Sequence, residues 1–246
     1  MIFKLIKNIF PRYKRLHNKQ YTKGLVAASY AIHKGNQVGI LTARGGKGAH
    51  REVITKIEKI LSANIPNSFQ HFTGDDDDQT VDNVALKKLL ICIEYRFGFN
   101  GRPKFDKVLL HDDSEENINI VKSAVKYLKR LPLSKNNLNE VWKQVVGFRI
   151  DGLDAHNIKE WNIEKLKREF RKNKNTLQLF DLDGTVFHSI TKIYIINSKG
   201  DLLDSLTPDE FNNTTLKEVK KQYGKDAGFD FSEFRDVDMS KITFKN

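Results

Sequence analysis

The 246-residue chain is poor in cysteine, tryptophan, methionine and proline, with one, two, two and five of them. The lone cysteine, Cys92, excludes a disulfide framework and a cysteine-based zinc cluster. Cytoplasm is then the default location. No stretch has the ~20 consecutive apolar residues that a membrane span needs. The N-terminus is too short and too broken by charge for a signal peptide. A nucleotide P-loop is excluded as well, because Arg44-Gly45-Gly46-Lys47-Gly48 lacks the GxxxxGK[ST] spacing. Acidic residues number 31 against 42 basic ones, a net charge of +11. That surplus favours anionic partners, such as phosphates, nucleic acid or lipid headgroups, and says nothing about fold.

At ~150 residues per domain the chain makes one large domain, or one with a sizeable insertion. Its 39% hydrophobic and 30% charged residues are those of an ordinary globular protein. In residues 1–20, Ile2, Phe3, Ile6, Ile9 and Phe10 share one helical face opposite Lys4 and Lys7. Such a basic amphipathic segment suits a membrane surface, nucleic acid, or docking on its own domain. The acidic run from Asp75 to Asp78 reads as a solvated loop, since four adjacent carboxylates are costly to bury.

Short apolar runs at 37–41, 68–72, 107–110, 144–150 and 176–180 predict strands, and helical spacing predicts helices at 22–34, 47–62, 82–97, 115–130 and 157–172. This alternation implies a mostly parallel sheet with helices on both faces. Ligands of such sheets bind beyond the carboxyl ends of the strands. Residues 192–207 break the alternation and read as a hairpin around Ser198-Lys199-Gly200.

The chemistry concentrates at three strand ends. Residues 177–180 run into Asp181-Leu182-Asp183-Gly184-Thr185, where two carboxylates repel each other unless a cation or proton lies between them. A second acidic pair, Asp112 and Asp113, follows an apolar strand after His111. A third strand ends in Thr42-Ala43-Arg44-Gly45. Other polar residues have plainer readings. His71, His111 and His188 form no metal spacing and suit local hydrogen bonds, Cys92 suits a small buried hydrophobe, and Tyr95, Phe97 and Phe99 suit packing.

FDLDGTVF, ILTAR and LLHDDSEENI resemble motifs I, II and IV of the haloacid dehalogenase (HAD) superfamily of phosphohydrolases. With DSLTPDEFNN and FDFSEFRD, the set is similar to uncharacterised HAD-like proteins of bacteriophage genomes. The match spans roughly 21–150 and 176–245. Motif order is II, IV, I instead of I, II, IV, which implies a circular permutation with residues near Met1 and Asn246 adjoining. Permutation is tolerable because domain termini often meet on the surface. The implied fold is an α/β, HAD-like Rossmannoid three-layer sandwich with a β-hairpin flap and a small insertion. Its parts are a basic segment 1–20, a permuted core 21–190 that includes the connection 151–175 and the motif I strand 176–183, and a flap with a cap-like insertion at 191–246.

The same resemblance implies roles. Asp181 is the expected nucleophile, Asp183 the general acid and base, and Thr42 a hydrogen-bond donor to the phosphoryl group. A site lysine is expected before motif IV, Lys87 in preference to Lys88. Ala43, Arg44 and Gly184 are expected to line the substrate, and Asp112, Asp113, Asp181 and the backbone carbonyl of Asp183 to surround Mg²⁺. Carboxylate and water ligands suit Mg²⁺ better than zinc. The expected activity is a Mg²⁺-dependent phosphatase acting on a phosphorylated metabolite or nucleotide. Two alternatives stand beside it: a polynucleotide end-processing phosphatase, and an inactive HAD-fold module that binds nucleic acid or a partner.

Overall fold

The computed structural model describes residues 12–44, 50–73, 84–162, 164, 175–207, 210–211, 214–235 and 238–246. In chain order the strands are β1 (Gln37–Thr42), β2 (Gln70–Phe72), β3 (Lys107–Asp112), β4 (Val145–Val146), β5 (Arg149–Ile150), β6 (Leu153–Asn157), β7 (Thr176–Phe180), β8 (His188–Ser189), β9 (Ile193–Ile196), β10 (Leu202–Leu206), β11 (Gly228–Asp230) and β12 (Ile242–Thr243). The helices are α1 (Arg12–Asn18), α2 (Lys23–His33), α3 (Arg51–Leu61), α4 (Val84–Phe97), α5 (Glu115–Lys122), α6 (Lys135–Trp142), α7 (Leu216–Tyr223) and α8 (Ser232–Arg235). None of these helices is long and apolar enough to cross a membrane.

The fold is α/β. Five parallel strands in the order β2-β1-β7-β3-β6 are flanked by helices. β1, β3 and β7 are almost wholly buried, as strands covered on both faces must be. Their alternating side chains feed two cores. Val38, Ile40 and Phe180 face α2 and α3, where α3 contributes the stripe Val53, Ile54, Ile57 and Leu61. Leu41, Val108, Leu110, Leu177 and Leu179 face α4 and α5. Each large apolar side chain buried in this way stabilises the fold by roughly 1.5 to 3 kcal/mol.

Four sequence expectations require correction. Residues 144–150 form no core strand: Gly147, at φ 63°, opens a tight turn between β4 and β5 that leaves Val146 and Phe148 each 72% exposed. The fifth sheet strand is β6, inside the segment read as a connection, where Leu153 and Ala155 are buried against β3. The 115–130 helix tightens after α5 into a 3₁₀ segment, Ala124–Arg130, and α6 was not anticipated. A short 3₁₀ turn, Ile158–Glu160, stands at the start of the expected 157–172 helix, most of which lies outside the described residues. So do Ile2 to Phe10 and the acidic run Asp75 to Asp78.

The hairpin expected at 192–207 is present as β9 and β10, but β11 pairs with the other edge of β9 to make a small three-stranded sheet. β8, paired with β12, reaches the residues just past β1 and β7, where Ser189 hydrogen-bonds Arg44 and Asp183. After β12 the chain pairs with residues 20–22: the amide of Asn246 donates to the Gln20 carbonyl (2.8 Å), that of Thr22 to the Phe244 carbonyl (3.0 Å), and Tyr21 bridges Lys245. In α1, Leu16 is buried against the α2 side of the sheet.

Candidate active site

Register brings the acidic residues together. Leu179 of β7 stands opposite Leu110 of β3, and the Asp181 amide donates to the His111 carbonyl (2.9 Å), which extends that ladder by one step. Asp181 and Asp112 therefore leave neighbouring strands at the same level. Strand alternation turns both to the α4 face, with Leu177, Leu179, Val108 and Leu110.

From α4 comes Lys88, itself buried, whose Nζ lies 2.7 Å from Asp112 Oδ2 and 2.8 Å from Asp181 Oδ1. Lys87, the residue preferred from sequence, points elsewhere, its Nζ 3.4 Å from the Thr73 carbonyl. The signal was there to be read: Ala85, Lys88, Leu89 and Cys92 occupy one helical stripe and Lys87 lies off it. Cys92 is fully buried, and burial pushes its thiol up to about 12.

Asp112 is further held by the Ser114 amide (3.0 Å) and by Asn117 Nδ2 (3.1 and 3.0 Å to its two oxygens). Asn117, at the third position of α5, was missed from sequence, although an amide there naturally reaches back over the helix start. Asp113 lies 3.3 Å from the half-exposed Lys159 Nζ. Ligand atoms of Asp112, Asp113 and Asp181 all fall within 4.8 Å of one another.

The electrostatics of this cluster are unbalanced. Burial raises the Asp181 carboxyl well above its ordinary range, Lys88 pulls it back, and Asp112, Asp113 and Asp183 push it up again. Burial, then Asp112, likewise raises Asp113. For Lys88 burial works downward, but the Asp112 and Asp181 carboxylates outweigh it and raise the ammonium. Two carboxylates thus share one buried ammonium, and a third, Asp113, stands beside them with only the rim residue Lys159 as its ion-pair partner among the described residues. An all-oxygen, excess-negative set of this kind fits a hard divalent cation such as Mg²⁺.

Asp183 stands apart from the acidic cluster. Its carboxylate is not part of that triad but is gripped by Arg44, with Nε 2.5 Å from Oδ2 and Nη2 2.7 Å from Oδ1, while Ser189 Oγ donates to Oδ1 (3.1 Å). Arg44, expected against substrate, is only 1% exposed and lies over the Phe187 ring. The chain after β7 covers it through Phe187 and Ser189. Thr42 is buried at the end of β1 and its Oγ1 accepts from the Arg44 amide (3.3 Å), whereas Ala43 is exposed. His111 is buried behind the site, donates to Gln178 Oε1 (2.6 Å) and stacks on Phe180; burial, with His156 adding, lowers it to about 3 and keeps it neutral.

Gly184 lies between the two halves of the site. Its φ is 66°, and a Cβ there would stand 2.3 Å from Asp113 Oδ2. Gly184→Ala should lose about 1 to 2 kcal/mol through the left-handed backbone alone. Because the blocked group is a movable carboxylate, the larger effect falls on Asp113. We expect divalent-cation affinity, read by titration calorimetry, to drop by a greater factor than the denaturant midpoint implies. Unchanged affinity would remove Asp113 from the cation site.

Searches against protein-family profiles, curated proteins and solved structures return no match. The chemistry of the site therefore rests on its own geometry.

Proposed function

We propose that the protein is a phosphomonoester hydrolase of the HAD type, circularly permuted, that works through an aspartyl-phosphate on Asp181. The observation that carries this reading is the side-by-side placement of Asp181 and Asp112 on adjacent parallel strands with Lys88 buried between them. The pairing of residues 244–246 with 20–22 supports the permutation, since a link from Asn246 to Gln20 would restore the order I, II, IV.

A phosphate monoester is a dianion, so a carboxylate cannot approach it without charge compensation. Mg²⁺ held by Asp181, Asp112 and Asp113 would supply that compensation when bound. Lys88 adds a fixed positive charge and orients the Asp181 carboxylate. An Asp181 oxygen attacks phosphorus as the ester P–O bond breaks, and the leaving oxygen takes the proton of the Asp183 carboxyl group. Water then attacks the phosphoryl group, its proton returns to Asp183, and the bond from phosphorus to Asp181 breaks to release inorganic phosphate. Thr42 Oγ1, which accepts from the Arg44 amide, keeps its own proton for a phosphoryl oxygen.

The test is steady-state phosphate release from p-nitrophenyl phosphate, mononucleotides and oligonucleotide 3′-phosphates, with Mg²⁺ and with chelator. Wild-type turnover that requires the cation is expected on at least one class. Release no greater than that of Asp181→Asn across the panel would overturn the reading and leave the fold as a binding module.

A further inference from the structure

Building on the phosphatase reading, we propose that Arg44, together with Ser189, is a positioning residue that aims Asp183 at the leaving group rather than a ligand for the substrate phosphate. The grip is a closed ring. Arg44 Nε donates to Oδ2 and Nη2 to Oδ1, Nη2 also donates to Ser189 Oγ (3.1 Å), and Ser189 Oγ donates to Oδ1. A guanidinium fork held in this way fixes the plane of the carboxyl group as well as its position, which a single ammonium does not.

Arg44 cannot wander. It is 1% exposed, covered by Phe187, and its backbone amide is tied to Thr42. Among the described residues, Oδ1 of Asp183 takes two donors and Oδ2 takes one. The ring therefore leaves Oδ2 with an open lone-pair direction, and it is Oδ2 that hands the proton to the departing oxygen. Ser189 sits on β8, which pairs with β12, so the last residues of the chain hold one corner of the ring in place.

Leaving-group dependence separates this role from its rivals, because p-nitrophenolate departs without a proton whereas an alkoxide needs one. Arg44→Gln, Arg44→Lys and Ser189→Ala would be compared with wild type on p-nitrophenyl phosphate and on glycerol 2-phosphate. The expected result for Arg44→Gln is a kcat lower by about 100-fold on the alkyl ester, the scale of general-acid catalysis, and by no more than about 5-fold on the aryl ester. KM should be unchanged on both. Arg44→Lys, which keeps the charge and loses the fork, should not restore the alkyl rate. Ser189→Ala should show the same selectivity at about 10-fold, and it keeps the proposal testable if removal of the buried Arg44 prevents folding.

Equal losses on the two esters would overturn the proposal while leaving the phosphatase reading intact. A rise in KM with kcat preserved would overturn it too, by making Arg44 a phosphate ligand. If wild type does not turn over glycerol 2-phosphate, a mononucleotide from the panel serves as the alkyl ester, and absence of wild-type turnover across the whole panel would end both.

Discussion

Asp181→Asn should abolish phosphate release, with kcat lower by about 10⁴-fold or more, while the cation-free protein stays at least as stable as wild type. The two effects have one origin. Asp181 is placed where its charge serves the proposed reaction and is unfavourable to the fold, buried beside Asp112 and Asp113 with Lys88 shared between Asp181 and Asp112.

Its folded-state carboxyl is raised well above the ordinary value of 3.8. A group raised on folding contributes stability that is fully present below its unfolded value and is lost as pH rises through the folded one. Wild type in chelator should therefore lose stability relative to Asp181→Asn between the ordinary carboxylate range and neutral pH. Below that range the two should melt alike. Added Mg²⁺ should raise the wild-type melting temperature more than that of the variant. Thermal melts across pH, with and without cation, test all of this. A variant markedly less stable than wild type at neutral pH in chelator would mean that Lys88 already balances the cluster.

The second large effect is on stability. Lys88→Met in chelator should destabilise the protein by about 3 to 5 kcal/mol, because it leaves Asp112 and Asp181 as buried charges with no cation between them. Lys87→Met should cost no more than about 0.5 kcal/mol, the usual scale of a substitution away from such a network. Denaturant unfolding of the two variants gives the comparison directly. Mg²⁺ should recover part of the Lys88→Met deficit, since both carboxylates remain to receive it. Equal losses at the two positions would show that the buried contacts of Lys88 carry no net stabilisation.

Much of the fold was legible because strand and helix signals are local. The runs that became β1, β3 and β7 are short, apolar and bounded by polar turns, and each delivers its chemistry just past the last apolar residue. The expectation fell on Lys87, although only Lys88 continues the stripe of Ala85, Leu89 and Cys92 and it is Lys88 that meets the two carboxylates. β6 was not legible: its sequence, Leu-Asp-Ala-His-Asn, has too few apolar residues to read as a core strand. It becomes one because the open edge of β3 offers backbone partners to all five of its residues.

Sequence alone determined the α/β alternation, the acidic pairs at two strand ends and the threonine and arginine at a third, because each depends on residues within one or two turns of chain. Tertiary structure decided the partners. Lys88 meets Asp181 across 93 positions and Arg44 meets Asp183 across 139. Those meetings follow from the order in which strands pair and the face to which each side chain alternates, and neither can be read from any local stretch. The two carboxylates of one DxD motif are thereby given different partners, Asp181 the lysine of α4 and Asp183 the arginine that lies over Phe187.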